Sequence, residues 1–243
     1  MPDSRQLRRA LRRAIPRPVR QRLYDWSPSR SRRWQRVPGL ETVPPVAGAV
    51  LTFDDGPDPE ATPAVLAALA ATGARATFFV LGTHAREQPE LLREVAAQGH
   101  EIALHGLEHY RHDRLSTEEA ERELGAGIEA IEAAGGGRPS WYRPPFGAPS
   151  PTLASVCERL GLRLAYWSAW GQDWEGDSPE RIAALVRRDL APGTIVLLHD
   201  SARYAQRTSA AATAGAIPLI AADARERGLA LISLSEAVGD AGA

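Results

Sequence analysis

Two carboxylates stand side by side in TFDDGP (residues 52–57), directly after the apolar run Ala49-Val50-Leu51. Asp54 and Asp55 therefore lie where a hydrophobic segment ends, and Gly56-Pro57 closes the turn behind them. A second polar group follows in EIALHGLEHYRH (101–112), which sets His105 and His109 four residues apart. On a helical turn, or in a tight loop that imitates one, imidazoles at i and i+4 point the same way. Two imidazoles and one carboxylate form an open ligand set for Zn²⁺ or a similar divalent ion, with a position left for water. HxxxH alone also describes surface histidines, and His112 is read as a surface or supporting group.

Three further stretches carry candidates. In WYRPPFG (141–147) Pro144-Pro145 stiffens the backbone and Gly147 permits close approach, which would hold Arg143 and the Phe146 amide in place. A rigid turn with an exposed arginine is the other reading. AYWSAWGQDW (165–174) sets Asp173 between Trp170 and Trp174, and indoles beside a carboxylate suit a sugar ring; Trp167 is read as core. TIVLLHD (194–200) puts His199 at the end of a strongly apolar run.

Together these parts make a metal-dependent hydrolase. One carboxylate of the pair and two imidazoles would hold the ion, which acidifies water and polarises a carbonyl. The other carboxylate would accept the water's proton. Adjacent carboxylates raise each other's pKa; a dication on one and an arginine near the other would keep both ionised. His199 as imidazolium could protonate the leaving group, and the Phe146 N–H could help hold an oxyanion. A glycosidase is a poorer match, because its carboxyl groups must flank a glycosidic bond about 5–9.5 Å apart and the histidines would have no task.

These groups need elements to position them. From residue 48, short β-rich runs at 48–53, 76–81, 101–104, 162–168, 194–199 and 229–234 alternate with helical stretches, several opening on Ser, Thr or Pro and closing on Gly. Such alternation predicts an α/β fold with a mostly parallel sheet, open or closed into a barrel. Active sites of these folds lie beyond the C-terminal strand ends, which is where the candidates fall.

The chain has 243 residues, 44% hydrophobic and 24% charged, which fits a globular protein and excludes disordered and collagen-like classes. Its single cysteine, Cys157, rules out an intramolecular disulfide and a Cys-rich zinc site, and is read as a buried thiol. All 29 basic residues are arginine, so no lysine can form a Schiff base. The formal net charge of −1 hides an asymmetry, since residues 1–38 hold 12 Arg against Asp3 and Asp25. SRQLRRALRRAI (4–15) reads as a basic amphipathic helix ended by Pro16. It could lie on an anionic membrane surface or dock on the acidic body. Residues 26–45 read as an irregular connector. The expected division is a basic extension over 1–45 and one catalytic domain over 46–243. No apolar run is long enough to span a membrane and no signal h-region follows the basic start. The expected place is the cytoplasm, with peripheral contact to the inner membrane surface through the basic helix. No nucleic-acid partner is expected.

The five stretches, in this order, resemble the polysaccharide deacetylase family (the NodB-homology domain, carbohydrate esterase family 4) over roughly residues 48–238. The resemblance implies a distorted (β/α) barrel that removes N- or O-acetyl groups from sugars or polysaccharides with a bound divalent ion, zinc first and cobalt or nickel as alternatives. It assigns Asp54 as general base, Asp55, His105 and His109 as the metal triad, and Arg143 as the group orienting the base. Asp173 would support His199, the general acid. Trp174 would wall the groove, Phe146 would bind substrate, and Leu197 would line the acetyl-methyl pocket. The match departs at Gly106, where the family usually has Ser or Thr, and at Tyr110, where Pro often stands. An extra acid near Trp170 is also missing. These departures leave a sugar-binding relative with little or no turnover as the alternative.

Overall fold

A computed structural model describes residues 37, 39, 41–43, 48–204 and 207–239. The helix expected over 4–15 lies outside the described residues. So does most of the connector, and the expected boundary at 45/46 falls among undescribed positions. At the near side of that boundary, Thr42 pairs with Thr194 in an isolated antiparallel bridge.

The apolar runs become strands because they are covered by helices. All seven residues of β1 (Gly48–Asp54) and all six of β2 (Ala76–Leu81) are buried, and a strand buried on both faces reads as a continuous apolar run. β3 (Glu101–Gly106) follows. Then come three two-residue strands, β4 (Trp141–Tyr142), β5 (Arg163–Leu164) and β6 (Ala169–Trp170), and finally β7 (Ile195–His199) and β8 (Ala230–Ile232). The order is β5-β4-β3-β2-β1-β7-β6, with every pair parallel and β8 joined to the start of β1.

The helices between them are α1 (Thr62–Thr72), α2 (Gly82–Glu87), α3 (Pro89–Ala97), α4 (Thr117–Ala133), α5 (Pro151–Leu160), α6 (Pro179–Asp189), α7 (Ala211–Glu226) and α8 (Leu234–Val238). Their starts follow local chemistry. Ser116 and Glu119 form a capping box on α4, as Ser233 and Glu236 do on α8. Ser150 and Ser178 cap α5 and α6 ahead of Pro151 and Pro179.

The sheet curls strongly. Arg143, directly after β4, reaches Thr52 and Asp54 on β1, although β3 and β2 lie between. A side chain can make that crossing only if the sheet bends round an interior, as in a distorted barrel. The strand expected over 162–168 is broken by the same geometry. Arg163–Leu164 stays with β4, Ala169–Trp170 joins β7, and the link between them turns its carbonyls inward. Arg143 takes two of these, bonding Ala165 O through Nε at 3.4 Å and Tyr166 O through Nη2 at 2.7 Å.

Cys157 is buried, and burial pushes its thiol up to about 12, as expected of a structural cysteine. Among the described residues, no helix is long and apolar enough to cross a membrane.

Candidate active site

β1 and β7 pair so that Asp54 lies opposite His199. The carboxylate and the imidazole of the sequence reading thus end adjacent strands at one level. Asp54 Oδ1 accepts a 2.7 Å hydrogen bond from Arg143 Nη1, and the same nitrogen donates to Thr52 Oγ1 at 2.7 Å. Arg143 is fully buried with its guanidinium 4.0 Å from the centre of the Phe79 ring. The alternative of an exposed turn arginine is excluded.

Asp55 leaves the strand with φ +82°, in the left-handed region. Aspartate adopts it more readily than most residues, and two bonds hold it: Asp55 N–H donates to Phe79 O, and His84 Nδ1–H donates to Asp55 O at 2.8 Å. This turn sends the second carboxylate away from the first and towards the histidines. His105 Nε2 lies 3.4 Å and His109 Nε2 3.5 Å from Asp55 Oδ1.

Several observations fit a metal ion at this triad. Asp55 Oδ1 is buried without a hydrogen-bond partner, a state that is rare unless something else meets the atom. Neighbouring ligand atoms around a tetrahedral zinc with bonds of about 2.0–2.1 Å are about 3.4 Å apart, which matches the spacing. His105 Nδ1 faces the Arg143 carbonyl at 2.8 Å and so carries the proton, leaving the Nε2 lone pair directed at Asp55. Such an outer partner is the usual companion of a metal-binding imidazole. Burial holds His109 down at about 4, so it is a neutral donor. Burial alone would raise the Asp55 pKa, but His105, His109 and His199 outweigh it and hold the carboxyl well below its usual range. Among the described residues this is the one such ligand cluster.

Gly106 explains itself in the structure. Its φ is +120°, and a Cβ there would run into the His112 ring. His112 is fully buried, which corrects the surface reading. It bonds Tyr142 Oη through Nδ1 at 2.7 Å and Glu108 O through Nε2 at 3.1 Å. Where relatives are expected to fix this loop with a hydroxyl, Glu123 on α4 holds it here. Its Oε1 accepts the amides of Leu107 and Glu108, both at 2.9 Å, and its Oε2 accepts the Tyr110 hydroxyl at 2.8 Å.

On the other side, His199 Nδ1 meets Asp173 Oδ1 at 2.9 Å. Burial pulls the imidazole pKa down, but the Asp173 carboxylate outweighs it and the net shift is upward. Trp174 meets the His199 ring edge-on at 5.5 Å. Leu197, two residues before His199 on β7 and so on the same face, is buried. Phe146 has φ +60° and projects an exposed ring 4.6 Å from that of His109. Trp167 is core, as read.

The sequence reading missed His84, Glu123, Asp200, Tyr204, Arg207 and Thr213. His84 follows a strand end and could have been found by the same criterion as His105. Its Nε2 accepts from the Tyr204 hydroxyl at 3.2 Å, and the Tyr204 ring stacks on His109 at 4.3 Å. Asp200, directly after β7 and beside His199, met that criterion too; Glu123, Tyr204, Arg207 and Thr213 come from helices and loops and carry no local signal.

An arginine-held carboxylate beside a buried Asp-His-His cluster, facing an Asp-supported histidine, defines a hydrolase-type centre on a parallel α/β barrel. A polysaccharide deacetylase family profile matches residues 43–165. Chitooligosaccharide deacetylase of Bradyrhizobium sp. (strain ANU 289) is 39% identical over 151 residues, 62% of this chain and 69% of that protein. Its counterpart in Azorhizobium caulinodans is 34% identical over 188 residues, 74% of this chain and 90% of that protein. Among solved structures, a family 4 carbohydrate esterase from Streptomyces lividans in complex with acetate superposes with a TM-score of 0.69 and 35% identity, covering 76% of this chain and 91% of that one. The chain belongs to the polysaccharide deacetylase family.

Proposed function

We propose that the protein hydrolyses N-acetyl, or O-acetyl, groups of amino sugars or polysaccharides. One observation carries the reading: Asp55 Oδ1 is buried without a hydrogen bond between two imidazole nitrogens, with the arginine-held Asp54 next to it. Asp55, His105 and His109 are read as ligands of one divalent ion. Zinc suits this donor set, and cobalt and nickel are the alternatives. When bound, the ion supplies Lewis acidity towards an acyl oxygen and makes a nearby water more acidic.

The chain's own residues do the rest. Arg143 engages Asp54 Oδ1, so Oδ2 is the oxygen that takes the water's proton. His199, with Nδ1–H on Asp173, delivers a proton from Nε2 to the leaving nitrogen or oxygen. The Phe146 N–H is assigned to the oxyanion, Leu197 to the acetyl methyl, and Trp174 with Phe146 to the faces of the sugar. A turnover-free sugar binder would have no use for a buried arginine on one carboxylate and a buried carboxylate on the opposing histidine. Residues 46–243 are read as the catalytic unit. Residues 1–45 are read as an extension that docks on an anionic membrane surface or on the acidic body.

The test is acetate release from N-acetylglucosamine oligomers and acetylated xylan. Asp54→Asn should lower kcat by about 10²–10⁴-fold with metal content unchanged. Full activity in this variant, or no acetate from any substrate with the wild type, would overturn the reading.

A further inference from the structure

Asp173 is bonded more heavily than holding one imidazole requires. Its Oδ1 meets His199 Nδ1, while Oδ2 accepts three donors: the His199 backbone N–H at 2.9 Å, the Thr213 hydroxyl at 2.7 Å and Arg207 Nη1 at 2.9 Å. Arg207 Nη1 also reaches Thr213 Oγ1 at 2.6 Å and the Asp173 carbonyl at 3.2 Å. Its other terminal nitrogen spans to His199 O at 3.0 Å and Ser201 O at 2.6 Å. One guanidinium therefore ties the turn carrying Asp173, the end of β7 carrying His199 and the first turn of α7 carrying Thr213. All of this is buried: Arg207 is 7% exposed, Thr213 0% and Asp173 1%.

Burying an arginine is costly unless its partners repay it, and a plain staple between a loop and a helix would not need the charge. What this clamp fixes is the plane of the Asp173 carboxylate. That plane sets the direction of His199, because Nδ1–H follows Oδ1 and Nε2 points opposite. We propose that Arg207 and Thr213 are positioning residues for the acid half of the reaction. They lock Asp173 so that His199 Nε2 is aimed at the leaving group. The inference rests on His199 being the acid of the proposed deacetylation. In that step the acyl C–N bond breaks, its electron pair leaves with nitrogen, and nitrogen takes the proton from His199 Nε2. The acyl carbon keeps the oxygen delivered by water, and the products are acetate and the free amine.

A double-mutant cycle on acetate release from an N-acetylglucosamine oligomer tests this. Arg207→Met and Thr213→Val, each in the full chain, should lower kcat about tenfold or more, up to the roughly 10²–10⁴-fold expected for losing a general acid outright. KM and metal content should stay as in the wild type. In a His199→Ala background the same two changes should cost nothing further, because the group they aim is gone. Equal fold-losses in both backgrounds, or no loss in the otherwise wild-type chain, would overturn the positioning role. Should Arg207→Met fail to fold, the near-isosteric Thr213→Val decides alone. A wild type that releases no acetate overturns the deacetylase reading itself, whereas an active wild type with equal losses overturns the positioning role only.

Discussion

Asp54 and Asp55 are neighbours in sequence but not in environment, and the backbone is the reason. Asp54 is still on the strand, facing Arg143 and pairing in register with His199. Asp55 turns left-handed and is held there by Phe79 O and His84. The like charges of TFDDGP are thus separated by conformation before any ion is considered. The proposed acid on the opposite side, His199, depends on a different carboxylate. In the proposed reaction His199 must be protonated to donate, and Asp173 raises its pKa against the pull of burial, so activity should persist above the ordinary imidazole value. Asp173→Asn removes that support while burial remains. The alkaline limb of the kcat–pH profile should move to lower pH; a limb that stays in place would contradict the role given to Asp173.

At the scale of elements, the loop after β3 is the part that local sequence described least well. HxxxH gave the spacing of His105 and His109. It did not reveal what holds them, because Glu123 comes from α4 and its carboxylate replaces a local hydroxyl. Gly106 reads as a loss in the sequence, but in the structure it makes room for the buried His112 ring. Glu123→Gln keeps the shape but loses the charge on the Leu107 and Glu108 amides and on Tyr110. Glu123 holds the loop between the two proposed ligand histidines rather than a ligand itself. Affinity for the proposed metal should therefore fall by about tenfold, the low end of the range for groups bonded directly to ligands, and competition with a calibrated chelator reads this directly. Strand ends were legible because a parallel strand covered by helices is a continuous apolar run. The break between β5 and β6 was not. Residues 162–168 have strand character throughout, and only the arrival of Arg143 from β4 decides where the pairing stops. Arg207 and Thr213 were illegible for a similar reason, since neither lies at a strand end.

For the molecule as a whole, the buried charges at the rim set how stability depends on pH. Burial raises the Asp200 carboxyl to about 7; its Oδ2 accepts from Thr62 at 2.6 Å, and Gly56 packs against it with no room for a Cβ. An unfolded aspartate titrates near 3.9. Between about pH 4 and 7 the folded chain keeps a proton that the unfolded chain has released, so this group's contribution falls as pH rises and is level above 7. Asp55 and Asp173 have the opposite sign: their pKa values are depressed, so their contribution is present above the unfolded value and is lost on acidification. Comparing metal-free wild type with Asp200→Asn isolates the first effect. Relative to wild type, the variant should gain roughly 1–4 kcal/mol between pH 4 and pH 8 in denaturant unfolding. Parallel stability–pH curves would contradict it.

The proposed deacetylation requires a metal held by Asp55, His105 and His109 next to a base on Asp54. Its most direct test is acetate release from an N-acetylglucosamine oligomer by one sample, before chelation, after it, and after readdition of Zn²⁺, with bound metal counted at each stage. Release should track occupancy, vanishing with the ion and returning with about one equivalent. Acetate release that continues undiminished in metal-free protein would contradict it.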